Sequence, residues 1–324
     1  MIEDDYLYNK RGIAGAGQRL RRIFGSGRFW LRSLAVIVFV ALIYYPVGMI
    51  IVHKIDDNPD FTGSYEGGSH AVATATALID REVNQNRWVA NDPFFLPGAA
   101  LDNMPNFQTG IIYALSRFSI ELSDQIGRTR GSSQVDRDLD NAAGMLKFRG
   151  DKWVFDPSVS LLPGVTSEQQ YRDALAALLR YNTRLAAGQA VFERRADNLQ
   201  ETLNRVANDL GSASALIDDK VEAPSLFDRT ADDVFYATKG RLYAYSLIMR
   251  DLGTDFSQVI AERQVANVWA EMIQSLQAAA ALDPVVVING SADGILMPNH
   301  LAGLGFYLLR ARTQMNEISS ILQR

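Results

Sequence analysis

The sequence predicts an all-α protein: one N-terminal transmembrane helix, then a mostly helical domain. Three observations predict it. Residues 34–52 read LAVIVFVALIYYPVGMIIV, nineteen residues without a charge. Apolar residues recur at three- and four-residue spacing over much of 69–324, the period of a helix with one buried face. Only one run, Pro284–Ile288 (PVVVI), reads as β. One short strand cannot make a sheet, so a second would have to come from elsewhere, with Lys152–Phe155 as the candidate.

The apolar run comes first. Nineteen helical residues rise about 28 Å, close to the ~30 Å hydrocarbon core of a bilayer. Phe29 and Trp30 precede it, and Tyr44 and Tyr45 lie toward its other end, where aromatic rings suit the membrane–water boundary. His53, Lys54 and Ile55 follow it, with no small-residue cleavage site. The reading is an uncleaved signal anchor over residues 31–53, in contact with the lipid bilayer. Arg19, Arg21, Arg22, Arg28 and Arg32 lie before the run; Asp56, Asp57 and Asp60 lie after it. Basic residues stay in the cytoplasm, so residues 1–30 form a cytoplasmic basic tail and the C-terminal domain is periplasmic. Within the tail, residues 18–24 (QRLRRIF) could form an amphipathic turn at the inner leaflet or serve only topology.

Charge divides the same way. Residues 1–52 hold seven Lys or Arg and three acids, a net of +4, and the whole chain carries −5. Residues 53–324 therefore carry −9, which argues against a nucleic-acid partner. There is no cysteine, which excludes disulfides, zinc–thiolate sites, a thiol nucleophile and lipid attachment through sulfur. The three histidines are His53, His70 and His300, too few and too scattered for a multi-histidine metal site. No metal and no cofactor is expected.

Asp, Gly and Ser make residues 54–68 a linker. Ser69 caps a helix from His70 to about Arg87. Three prolines and one glycine between Arg87 and Asn106 forbid a continuous helix there. Asn106 is read as the cap of a helix from Phe107 to about Ile126, followed by a loop with a helical turn over 127–140. From Tyr171 apolar or aromatic residues alternate by four and three through Leu175, Leu178, Leu185, Phe192, Leu199 and Leu203 to Leu210, with Asn182 and Gln189 on the same stripe. This is a heptad seam of roughly 40 residues, about 60 Å long if unbroken. Thr166 or Ser167 caps its start. A second seam runs Phe235, Thr238, Leu242, Tyr245, Met249, Leu252. An antiparallel helical hairpin, turning over 211–229 with Gly211 and Pro224, is the simplest reading. The seam can pack within the chain or between chains. Gly253 breaks the second helix, Asp255 is read as the cap of the next (Phe256 to about Leu282), and the last helix runs from Asn299 to about Leu322.

Two stretches echo others. Trp88-Val89, Asp92-Pro93 and Leu96-Pro97-Gly98 match Trp153-Val154, Asp156-Pro157 and Leu162-Pro163-Gly164. Met104-Pro105-Asn106, Gly110, Tyr113, Leu115 and Arg117 match Met297-Pro298-Asn299, Gly303, Phe306, Leu308 and Arg310 at identical offsets. Residues 69–126 and 262–322 are read as two copies of one helix–loop–helix unit, with His70 and His300 at equivalent helix starts.

Nucleophile elbows, P-loops, dinucleotide fingerprints, zincin motifs and EF-hand loops are absent. Carboxylates are the remaining catalytic candidates: Asp92 and Asp102 in the proline-bent loop, with Asp156, Asp283 and Asp293 in comparable loops. Two acids ~5–10 Å apart could cleave a glycan, but an Asp before a Pro also starts a turn. Trp88, Phe94, Phe95 and Trp153, with Phe107, give the loops an apolar character. They could line a groove for a peptide, lipid or glycan, or bury themselves over helix ends.

The basic N-terminus, the single anchor, WVANDPFFLPGAALDNMPNFQTGIIYAL (88–115) and DKWVFDPSVSLLPG (151–164) together resemble a family of proteobacterial membrane proteins known as domain of unknown function 2333. The resemblance covers most of the chain. It implies a Gram-negative inner-membrane protein and transfers no catalytic residue. The leading reading is a non-enzymatic, membrane-anchored periplasmic scaffold or accessory subunit of an envelope complex, with a protein partner or self-association. The alternatives are a carboxylate enzyme acting on cell-wall glycan and a periplasmic ligand sensor; the short inner tail weakens the last.

Overall fold

A computed structural model describes residues 27–128, 134–155, 162–222, 229–290 and 299–324. The 18–24 turn, Asp156, Pro157, Pro224, Asp293, Met297 and Pro298 lie outside the described residues. The chain divides into two units, Met1–Ile51 and Val52–Arg324.

In the first unit, α1 (Gly27–Val52) is long and apolar enough to cross a membrane. Pro46 lies inside it, and none of its residues is buried. Phe29 meets Trp30 edge-on at 6.1 Å, and Tyr44 meets Tyr45 at 5.4 Å.

The second unit is all-α, with no strand among the described residues. Its helices are α2 (His70–Asp80), α3 (Asn103–Glu121), α4 (Arg137–Leu146), α5 (Ser167–Ala186), α6 (Ala196–Glu222), α7 (Arg229–Asp255), α8 (Ser257–Glu262), α9 (Ala266–Ala280) and α10 (His300–Leu322). Helix α7 is the centre, packing on α2, α3, α9 and α10. Its 242–252 stretch is almost wholly buried: Leu242, Tyr243, Tyr245, Leu247, Ile248 and Met249 are fully enclosed. Burial on every side requires small residues where helices cross. Gly110 of α3 and Gly240 of α7 supply them: a Cβ on Gly110 would lie 2.1 Å from the Ala237 carbonyl, and one on Gly240 2.1 Å from that of Phe107.

Caps set most helix starts. Ser69 Oγ accepts from Val72 N at 3.2 Å, Thr166 from Gln169 N at 3.2 Å, and Asn299 Oδ1 from Ala302 N at 2.8 Å, each satisfying an orphan amide. Two caps differ from expectation. Helix α3 begins at Asn103, capped by Asp102 rather than Asn106, because Pro105 is tolerated in the first turn, where no backbone donor is needed. Asp255 caps no helix that follows it. Its carboxylate accepts from His70 N at 2.9 Å, Ala71 N at 3.1 Å and Ser69 Oγ at 2.6 Å, so it caps α2 from the end of α7.

Four further expectations are corrected. The Tyr171–Leu210 seam is not one helix: α5 ends at Ala186, and Gly188 at φ +70° turns the chain, a conformation glycine adopts without steric cost. The two halves of the seam then have different partners, α5 packing on α4 and α2, and α6 on α10. The hairpin is correspondingly slight, since α7 turns its main surface to α3 rather than to α6. Val285 and Val286 are exposed and form no strand; the local pairing is one antiparallel bridge, Asn289 to Asn299. Helix α4 occupies part of the stretch expected as a loop, capped by Asp136.

Residues 54–68, expected as a linker, lie against the helices. Buried Lys239 meets Asp57 at 2.8 Å and donates to Leu282 O at 2.8 Å. Arg81 meets Asp56 at 3.2 Å and stacks on Phe61. Arg250 donates to the Pro59 and Phe61 carbonyls, each at 2.8 Å. The buried cations on α7 and after α2 thus find part of their counter-charge in the chain that follows α1, beside Glu82 for Arg81 and Asp283 for Lys239.

Candidate functional site

The loops between α2 and α3 and between α4 and α5 bring three of the four predicted aromatics together. Phe94 meets Phe95 at 5.5 Å, Phe95 meets Trp153 at 5.7 Å, and Trp153 meets Phe155 at 5.6 Å, all edge to face. Phe94 is 82% exposed, Phe95 47% and Phe155 49%. Leu162 and Val165 are exposed close by in sequence. Contiguous apolar area of this kind marks interaction surfaces. Trp88 does not join it. It is buried, donates from Nε1 to Gly150 O at 2.8 Å, and packs on Tyr171.

The predicted acids separate. Asp92 is enclosed and pairs with Arg87 at 3.0 Å. Burial raises its pKa, Arg87 opposes the rise and Glu168 adds to it. Asp102 is exposed, accepts from Asn103 N at 2.9 Å, and has Asp232 as its charged neighbour. Among the described residues no hydrogen bond or ion pair joins the two: the Asp92 carboxylate is held by Arg87, and Asp102 caps α3. Asp283 meets buried Lys239 at 3.7 Å. His70 stacks on Tyr65 and meets Asp255, whereas His300 Nδ1 accepts from Ile288 N at 2.9 Å. Seam residues Leu178, Phe192, Leu199 and Leu203 are buried in the unit's own core, and Leu175 and Leu185 pack against it.

A polar centre that the sequence reading missed lies where α3, α6 and α7 meet. Buried Asp209 of α6 accepts from Tyr113 Oη at 2.7 Å and Tyr245 Oη at 2.9 Å. Arg241 and Arg117 approach it at 3.8 and 3.9 Å, and Arg241 also lies 4.0 Å over the Tyr113 ring. Burial first, then the Asp209 contact, raises both tyrosine pKa values. The signal was available as helix-spaced polar residues: Tyr113, Arg117 and Glu121 on α3, with Arg241 and Tyr245 on α7. Among the described residues no cluster of His, Cys, Asp or Glu could hold a metal ion.

Next to this centre, buried Glu121 meets Arg205 at 2.9 Å. Its pKa is raised to about 7, chiefly by burial; Arg205 opposes the rise, and Glu201 and Asp124 add to it. A carboxyl whose folded pKa exceeds its unfolded value binds more protons when folded, so its contribution to stability falls as pH rises from ~4.5 to about 7. Glu121→Gln should therefore stabilise the protein at pH 8 by roughly 1–3 kcal/mol, the gain fading by pH 4.5. Thermal melts at both pH values check it, and an equal gain at both would contradict it.

Known proteins add a family. No curated protein and no solved structure matches the chain. The family model described as "Uncharacterized protein conserved in bacteria (DUF2333)" matches residues 55–231 and 228–324. The matched stretches run from the buried-cation contacts of residues 56–61 through the aromatic loops and the Asp209 centre to the last helix. The chain belongs to the DUF2333 family of proteins conserved in bacteria.

Proposed function

We propose that this protein is a single-pass inner-membrane accessory subunit whose periplasmic helical domain binds another envelope protein. The observation that carries this reading is the exposed aromatic run Phe94–Phe95–Trp153–Phe155. Rings of this kind, held at loop tips on a rigid helical body, are typical interface anchors. A protein partner fits better than a lipid surface, because residues 53–324 carry −9 and an anionic leaflet would repel them. The basic flank before α1 supports an inward N-terminus. With the seam side chains packed within the unit, the aromatic loops take over the binding role.

A photo-reactive residue at Phe94 or Phe155, activated in native membranes, tests this. The expected adduct is one discrete envelope protein, lost or reduced at least roughly tenfold in Phe94→Ser/Phe95→Ser, as for removal of interface hot spots. Adducts only to lipid, or to a spread of unrelated proteins, would sink the reading.

A further inference from the structure

We propose that the cleft between α3 and the Lys147–Gly150 turn binds a phosphate-bearing small molecule with an apolar portion. The cleft encloses about 390 Å³, within the range of small-molecule sites. One face of α3 supplies Thr109, Tyr113, Ser116 and Arg117 to it; the opposite wall is Lys147, Phe148 and Arg149. Ile112 and Leu146 contribute apolar lining. Among the described residues no carboxylate lines the cleft.

Charge selects the ligand. The cleft cations are Arg117, Lys147 and Arg149, and Arg241 stacks on the Tyr113 ring of the lining. Among the described residues, the ion pairs of these four cations go to two carboxylates: Asp209, near Arg117 and Arg241, and Asp151, which accepts from Arg149 Nε at 2.9 Å. The surplus of two positive charges stands out in a domain that carries −9. It matches a phosphate group, with an arginine fork and a lysine point charge as donors. The apolar walls require a ligand with a hydrocarbon or ring portion beside the phosphate.

The turn is fixed in advance. Three consecutive carbonyls are held by donors from the core: Phe148 O by Tyr171 Oη at 2.9 Å, Arg149 O by Ser167 Oγ at 2.7 Å, and Gly150 O by Trp88 Nε1 at 2.8 Å. Tyr171, Ser167 and Trp88 are all buried. The backbone oxygens of the turn are thereby engaged toward the core, and its side chains set the potential in the cleft. A wall held this way loses little entropy when a ligand arrives.

The test uses the full chain in neutral maltoside micelles. Calorimetry would follow dihexanoyl phosphatidylglycerol, inorganic phosphate and dihexanoyl phosphatidylcholine. Both anions should bind, with affinity falling as salt rises. Phosphatidylglycerol binding at least roughly tenfold tighter than phosphate supports a lipid headgroup as the source; equal binding supports a free phosphate compound. Lys147 is exposed and makes no ion pair among the described residues, so Lys147→Glu should fold normally and weaken anion binding by roughly 10- to 100-fold. The proposal is overturned if neither anion binds at about 10 mM. Equal binding of phosphatidylcholine and phosphatidylglycerol overturns it, as does unchanged anion affinity in Lys147→Glu.

Discussion

Gly240→Ala is expected to destabilise the helical unit Val52–Arg324 by about 2–4 kcal/mol, even though alanine is the better helix former by ~1 kcal/mol. The reason is what the methyl group meets. A Cβ at Gly240 would lie 2.1 Å from Phe107 O and 2.9 Å from its carbonyl carbon. Both are backbone atoms of α3, so no rotamer change relieves the clash and the helices must separate. Gly110 makes the reciprocal approach to Ala237 O and Arg241 N. Separation would loosen Phe107, Ile111 and Leu242, all fully buried. Urea midpoints at unchanged slope would measure the loss. Gly303→Ala is the control: it lies in α10 with nothing within 4 Å, so it should be neutral or stabilise by up to ~1 kcal/mol. If Gly240→Ala were as well tolerated as Gly303→Ala, the close crossing of α3 and α7 would be wrong.

The same pair of glycines shows what the sequence could carry. Gly110 and Gly303 hold the same offset from Met-Pro-Asn, and at that level they look alike. One touches the backbone of α7 and the other faces open space, because partner choice is a tertiary property that no local spacing encodes. Helix class and most starts were legible for the opposite reason: Ser69, Thr166 and Asn299 act on amides three residues away. The break after Ala186 was harder to see. The four-three alternation continues across Gly188, since Phe192 is buried from an irregular segment just as a helical residue would be. Asp255 was misread for want of long-range information, as its partners lie 184 to 186 positions away. The aromatic loop was visible as composition, yet only the fold separates buried Trp88 from exposed Phe94. The Asp209 centre went unseen because its polar groups come from three helices, each showing one or two polar residues on an otherwise apolar face.

Asp209→Ala should cost about 3–5 kcal/mol, because it removes one partner from a buried charged network and leaves the others in place. Tyr245 is fully enclosed, and its hydroxyl hydrogen bond goes to Asp209 at 2.9 Å. Arg241 is mostly enclosed, at 14% side-chain exposure, and Asp209 is its one ion-pair partner among the described residues. Without the carboxylate, a phenol and a guanidinium remain in the core with no acceptor and no counter-charge. Asp209→Asn separates the two losses. It keeps an acceptor of the same shape for one tyrosine and removes the charge, so a cost of roughly 1–3 kcal/mol is expected. A triple replacement, Asp209→Leu with Tyr245→Phe and Arg241→Met, should recover much of the loss, since the enclosed groups become apolar at similar volume, and Tyr113 and Arg117, which lose the carboxylate, are partly exposed to water. Urea midpoints of the three proteins decide it. If Asp209→Ala cost no more than ~1 kcal/mol, or if the triple protein were no more stable than the single, the carboxylate would not be what holds α3, α6 and α7 together. The centre also reaches the cleft, because Tyr113 and Arg117 belong to both. Asp209→Asn should therefore leave the fold largely intact while freeing the Arg117 guanidinium, which would raise the positive surplus that the anion meets.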